Sequence, residues 1–484
     1  MTSGLIFHSV LSKDFSLILN DADDYNVIIQ VGEDNNIKEF RAHSVILRAR
    51  SRYFKSALST EWITKKNDMI IFTKPNITPT VFDIVLKYIY TGELDLENHL
   101  NEDIFELLVA SDELNFEELL EFIQNYLIKN HEIWLQENFD LVLHTVFDHV
   151  SFKLLQDFCI DSICANPLPF FTSINFLSLD NNILYYLLER DYLQIDEINV
   201  WNCLIRWGIE QTPGLGFMNS DRTKWNNEDY EALNKTLDQY ILLIRFMLIS
   251  PFDYINKIQP YKAVIPNNIC EEIEEFYIKG TLPKTITLLP RNRIESNIIK
   301  PKYISRIINW IDKKDKDFIR SYNDTLYKFD LIHKGSRDRM SNESFKNKFS
   351  LISLYEPILC LIKCQITQKM FGGYTPVGLY YYIEGINGIN RSQLFYYNKY
   401  SFLADSSFII YFDENDDMKL CRVCDMYNEN AIFAIFNFYS DNFGFDFGSA
   451  YNICRFRDGF DDDHLYGMGS YTIEEIEAFK VVKR

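Results

Sequence analysis

"FRAHSVILRARSRYF" (residues 40–54) places Arg41, Arg48, Arg50 and Arg52 in a chain of 484 residues whose formal net charge is −20. It also sets His43 beside Ser44, a pair that invites a base–nucleophile reading. The residues between the charges argue for something else. Val45, Ile46, Leu47 and Ala49 supply an apolar helix face, and Arg48 and Arg50 fall about 200° apart on that helix, so they form no single basic stripe. Ser51 is placed to cap a following helix, "RYFKSAL", in which Tyr53 and Phe54 would be anchors. His43 and Ser44, as neighbours at a helix start, point in different directions and have no orienting carboxylate beside them. The stretch reads as a strand-to-helix junction inside a packed domain.

The flanks agree. "YNVIIQVG" (25–32) is a strand, "NNIKEFRAH" (35–43) its return, and "MIIFT" (69–73) another strand before Pro75. "TPTVFDIVLKYIYTGEL" (78–94) sets Val81, Val85 and Ile89 at helical spacing, with Gly92 where the helix would close. "NEDIFELLVASDELNFEELLEFIQNYLIKN" gives two further helices, Asn115 being placed to cap the second. From residue 131 to about 285 the windows are short and amphipathic, among them "IWLQENFDLVLHTVF", "NNILYYLLERDYL", "INVWNCLIRWGIEQ" and "LDQYILLIRFML". "PKTITLLPRNRIESNIIKPKYISRIINWIDKKDK" (283–316), with its prolines and alternating basic residues, reads as a linker ending in a short helix. Beyond it, "EPILCLIKCQ", "SFIIYFDE", "MKLCRVC", "AIFAIFNFY" and "IEAFKVVKR" are aromatic and β-branched runs that predict a β-sandwich-like domain.

Composition narrows the function. A hydrophobic content of 47% with 24% charged residues describes a globular chain, and a pI near 4.9 opposes general attraction to nucleic acid or anionic lipid. "YILLIRFMLI" (240–249) is about half the ~20 residues a membrane span needs and is broken by Arg245. The N-terminal segment lacks the pattern of a signal peptide. Nine cysteines spread without a framework read as reduced thiols of the cytosol or nucleus. Cys421 and Cys424 form one C-x-x-C with no second pair, so two plain thiols are expected there and no metal. "RDGFDDDH" (457–464) lacks the EF-hand alternation and reads as a solvated acidic loop. The glycine pairs at 214–216 and 467–469 do not continue into a dinucleotide fingerprint, and no P-loop, nucleophile elbow or H-E-x-x-H is present. No catalytic constellation and no cofactor are expected.

The ordered set "DYNVIIQVG…KEFRAHSVILRARSRYFKSAL…VFDIVLKYIYTGELDL…LLVASDELNFEEL" resembles a BTB/POZ domain. "EINVWNCLIRWG" and "LLIRFMLIS" are similar to the BACK helices that often follow one. "YKFDLIHKGSRDRMSNESFKNKF" (327–349), the strand turn at Gly372, Gly373 and Tyr374, "DSSFIIYFDE", and "FGFDFGSA" with Gly444 and Gly448 resemble a TLDc domain. The resemblance implies a multidomain α+β protein: a mixed α/β BTB domain (1–128), an all-α BACK array (129–282), a linker (283–317) and a β-sandwich-like TLDc domain (318–484). BTB–BACK proteins are commonly homodimers that bind a cullin and present clients to a ubiquitin ligase, here with the TLDc domain recruiting the client. The other implied role is that of a TLDc regulator of oxidative-stress resistance or of the vacuolar proton-pumping ATPase, with BTB serving only to dimerise. Zinc-finger spacing and basic tracts, which a BTB transcription factor would carry, are absent. By the resemblance, Phe15, Asp24, His43 and Ser44 belong to the BTB core or dimer face, and Phe54, Trp62, Ile63 and Thr64 to the cullin contact. Thr64 stands where that family's triplet has an acid, and Ser44 where a lysine is common.

Overall fold

A computed structural model describes residues 8–21, 23–33, 36–59, 64–66, 69–147, 149–216, 222–280, 284, 288, 291, 293–318, 320, 324–339, 348, 356–365, 368–376, 408–412, 418–422 and 473–483. It comprises two compact units, Met1–Ile160 and Asp161–Arg484.

The first unit holds β1 (Val27–Val31), β2 (Lys38–Ala42), β3 (Thr64–Lys66) and β4 (Met69–Lys74) in the order β2–β1–β4–β3. β1 runs antiparallel to β2 and parallel to β4. Its alternation is that of a strand with one face in the core: Val27, Ile29 and Val31 are fully buried, and Ile28 and Gln30 half so. The strand expected from residue 25 begins two residues later, at Val27. Asp24 sits in the preceding turn with φ of 57°, a left-handed conformation that Asp tolerates through its short polar side chain.

The helices of this unit are α1 (His8–Asp21), α2 (Ser44–Arg50), α3 (Arg52–Ala57), α4 (Pro79–Thr91), α5 (Asn101–Glu113), α6 (Glu117–Asn130), α7 (Glu132–Glu137) and α8 (Phe139–Val146), followed by α9 (Lys153–Ala165). α4 is the core element. Thr78 caps it by accepting from the Val81 N–H, Pro79 occupies the first turn, and Gly92 closes it at φ of 71°. Asn115 does not cap α6. It takes the left-handed turn between α5 and α6 at φ of 58°, and Phe116 holds the cap position. The unit runs past residue 128 because glutamine side chains knit the later helices to α6. Gln124 donates to Ser151 O and accepts from the Leu155 N–H, while Gln156 donates to the carbonyls of Val146, Phe147 and His149.

The second unit contains α10 (Pro167–Thr172), α11 (Asn181–Glu189), α12 (Glu197–Gln211), α13 (Asn227–Ile241), α14 (Pro251–Asp253) and α15 (Asn267–Lys279). "LDQYILLIRFML" is helical only to Ile241, because Arg245 turns inward and is 1% exposed. Sheet strands follow: β5 (Tyr327–Lys334), β6 (Ile358–Cys364), β7 (Met370–Thr375), β8 (Phe408–Phe412), β9 (Met418–Arg422) and β10 (Ile473–Lys483), all antiparallel in the order β5–β10–β6–β7–β8–β9. The C-terminal strand is thus inserted between β5 and β6. Among the described residues this is the only sheet of the unit, and one of its faces is covered by a helix. Gly372 and Gly373 lie in the body of β7 and not in a turn. A Cβ at Gly372 would come within 2.4 Å of the Cys360 carbonyl oxygen on β6, so the close approach of the two strands requires glycine.

The stretch read as a linker is part of the core. Ile294, Ile298, Ile299 and the helix α16 (Tyr303–Ile311) pack with Leu359, Leu361, Phe408, Ile410 and Phe479 of the sheet. Arg291 of this stretch is likewise buried. Arg291 Nε lies 2.6 Å from Glu197 Oε1, with both side chains almost wholly buried, and Arg291 Nη1 donates to the carbonyls of Leu188 and Arg190. Arg245 donates to Leu188 O and Leu243 O, and its backbone N–H reaches Glu197 Oε2. Two arginines thereby satisfy carbonyls that the end of α11 leaves open, which a solvated-linker reading could not anticipate. Farther along, Ser296 and the Asn297 N–H donate to Glu477 of β10 at 2.5 and 2.7 Å.

Two outcomes are expected. Glu197→Gln leaves the buried Arg291 guanidinium without its carboxylate and should lower unfolding free energy by about 3–5 kcal/mol in a denaturant titration; an unchanged midpoint would refute the role given to this cluster. Burial raises the Glu477 carboxyl above its ordinary 4.5. Its stabilising contribution is therefore full below that value and is lost as pH rises through the raised one. Wild type should lose stability relative to Glu477→Gln as pH climbs from about 4.5.

Candidate functional site

The junction at His43 is a closed polar network. Its backbone N–H donates to Tyr90 Oη at 2.9 Å, Nδ1 lies 2.8 Å from the same oxygen, and Nε2 lies 2.6 Å from Asp23 O. A carbonyl can only accept, so Nε2 carries the proton and the Tyr90 hydroxyl donates to Nδ1. Burial raises the Tyr90 hydroxyl to about 12, against the smaller lowering effect of the His43 N–H, so it stays protonated and able to donate. Both ring nitrogens are occupied, and His43 is not placed as a base. Ser44 pairs reciprocally with Asn26: its N–H donates to Asn26 Oδ1 at 2.8 Å and its Oγ accepts from Nδ2 at 2.9 Å. Asn26 thus ties the start of α2 to the start of β1, a role that sequence reasoning missed because the two residues are far apart in the chain.

Arg48 is exposed, and the other three arginines diverge. Arg41 lies over the Tyr25 ring at 4.9 Å, Arg50 over Tyr88 at 5.4 Å, and Arg52 meets Glu117 at 3.2 Å on the surface. The next link is Ser51. It accepts from the Phe54 N–H, as expected of a cap, and also donates to Leu114 O at 2.9 Å, so α3 is pinned to the end of α5. Phe54 is fully buried and therefore serves the core and not a surface contact. Lys74 is buried as well. It reaches Tyr53 Oη at 3.1 Å and pairs with Glu113, which also accepts from Asn76.

Part of what remains open on this unit is apolar. α1 packs on α4, and Val10, Leu11, Leu17 and Ile18 stay between 41% and 54% exposed. Spaced seven apart in two pairs, they form one face about 120° wide. Phe15 is half-buried beside it. Thr64 opens β3, opposite Ile71 of β4, while Trp62 and Ile63 lie outside the described residues, as does the Thr64 side chain. In the second unit Gly372, Gly373 and Tyr374 come together in β7, with Tyr374 stacked on Phe408 at 5.1 Å. Cys421 lies in β9 with its side chain outside the described residues, and Cys424, Gly444, Gly448 and the 457–464 loop are outside them too. Among the described residues no group of three or more His, Cys, Asp or Glu side chains could hold a metal, and no helix is long and apolar enough to cross a membrane.

Tyr90→Phe removes the oxygen that serves both nitrogens of the His43 junction. A loss of about 1–3 kcal/mol is expected from a urea titration; a variant as stable as wild type would show the network to be incidental.

Similarity to known proteins falls on the same region. The BTB/POZ domain profile matches residues 17–131. Trishanku of Dictyostelium discoideum is 27% identical over 219 residues, covering 42% of this chain and 29% of that protein. Human BTB/POZ domain-containing protein 9 is 25% identical over 237 residues, 49% of this chain and 34% of its own length. Rat Kelch-like protein 25 is 26% identical over 208 residues, with shares of 42% and 33%. The chain spans about a third of the length of each of these relatives. With its strand–helix junction, core helix and profile match in agreement, the region 17–131 is a BTB/POZ domain, and the chain carries it as a protein-interaction module.

Proposed function

We propose that this chain is a non-catalytic, dimeric adaptor of the cytosol or nucleus that presents client proteins to a cullin-RING ubiquitin ligase. The BTB/POZ domain docks the scaffold, and the C-terminal sheet region recruits the client. The observation that carries the reading is a BTB/POZ domain whose α1 keeps an apolar face uncovered. Such a face costs solubility unless it is buried by association, and a second copy of the same helix is the self-complementary solution. Similarity to a Kelch-like protein supports the adaptor class. The helical array and sheet of the second unit, fixed together through the 291–299 segment, suit a rigid client platform.

A second reading is favoured by where the TLDc-like residues fall. The 327–334 segment and Gly372–Tyr374 lie in one sheet around one core. On this reading the sheet region is the effector, acting in oxidative-stress resistance or on the vacuolar proton-pumping ATPase, and the BTB/POZ domain only dimerises the chain.

Light scattering should give twice the chain mass for wild type and the monomer mass for Leu17→Asp, with the circular dichroism spectrum retained. The full-length chain should co-elute with a cullin N-terminal region, and Trp62→Ala should abolish that. Co-purification of proton-pump subunits without cullin would overturn the ligase reading in favour of the second. Full-length protein is required, because a fragment beginning near residue 320 would lack α16 and its core residues.

A further inference from the structure

We propose that Ser296 is a phosphorylation site whose modification releases the segment joining the helical array to the C-terminal sheet. Residues 291–299 act as a clasp. At one end Arg291 is fixed to Glu197, and Arg293 to Asp196 at 2.6 Å. At the other, the Ser296 hydroxyl donates to Glu477 Oε2 at 2.5 Å and accepts from the N–H groups of Ile298 and Ile299 at 3.0 and 3.1 Å. Glu477 has no solvent exposure. Among the described residues the cation paired with it is Lys334, at 3.5 Å, while Arg337 and Lys348 pair with Asp338.

That arrangement makes the clasp sensitive to charge. A phosphoryl group brings −1.5 to −2 charges, and at hydrogen-bond distance from a buried carboxylate it meets like-charge repulsion that one lysine cannot offset. Glu475, buried two residues earlier on β10, adds to the same negative environment. The recognition features are local. Ser296 is half-buried in a segment without regular secondary structure, and Arg293, three residues before it, is 45% exposed while it pairs with Asp196 and donates to the Ile195 carbonyl. An arginine at that offset is what the acidic groove of an arginine-directed protein kinase engages. In the transfer, Ser296 Oγ attacks the γ-phosphorus of ATP. The bond to the bridging oxygen breaks, its electron pair leaves with ADP, and the hydroxyl proton passes to a carboxylate of the kinase.

The test incubates the full-length chain with such a kinase and ATP, then maps phosphate by mass spectrometry and follows trypsin cleavage after Arg293. Phosphate is expected at Ser296 in wild type and absent from that position in Ser296→Ala. Phosphorylated protein and Ser296→Glu should both be cut roughly tenfold faster than unmodified wild type. The double variant Ser296→Glu with Glu477→Gln holds the same acid beside the scissile bond without the buried carboxylate, and should return to the wild-type rate. Absence of phosphate at Ser296, an unchanged cleavage rate once it is there, or failure of Glu477→Gln to restore protection would each overturn the proposal.

Discussion

A single buried carboxylate, that of Glu197, organises the second unit. It stands at the first turn of α12, where the helix dipole favours negative charge, and accepts from Arg291 Nε and from the Arg245 N–H. The two guanidinium groups in turn serve carbonyls at the end of α11, where the dipole favours positive charge. Burial, and then repulsion from Arg291, lowers the Arg245 guanidinium to about 9, and burial lowers Arg291 as well. The cluster is therefore held at a cost in desolvation that only its hydrogen bonds and pairing offset. Because Arg291 is fixed, Ile294, Ile298 and Ile299 are delivered to the sheet, α16 lies down on it, and Glu477 closes the far end.

The first unit solves a different problem. Its interior is closed by polar groups that are satisfied locally. His43, Tyr90 and Asp23 occupy one another, Ser44 and Asn26 do the same, and Ser51 joins α3 to α5. These are the residues that resemble catalytic or nucleic-acid-binding groups in the linear sequence. Once they are consumed by the fold, apolar side chains on one face of α1 stay open to solvent.

Much of the first unit was legible because its signals are local. The alternation in 27–31, the spacing of Val81, Val85 and Ile89, the cap at Ser51 and the closing Gly92 all depend on residues within a few positions of one another. Where the reading failed, a distant partner decided. Asn115 takes the left-handed turn because the chain must reverse between α5 and α6, and the glycines of β7 are set by a carbonyl on β6. The largest miss is the packing of residues 283–317: the short helix expected at their end is α16, but the segment read as a linker is part of the core. The prolines and basic residues suggested solvent, since nothing near Arg291 in sequence discloses a carboxylate on α12.

Residues 291–311 join two layers of the second unit. Hydrogen exchange of the unmodified full-length protein tests this most directly, read at the amides of residues 294–308 against those of α12 and β10. The account predicts that all three exchange slowly and lose protection together as denaturant is added. Exchange of 294–308 within seconds, while α12 and β10 remain protected, would contradict it.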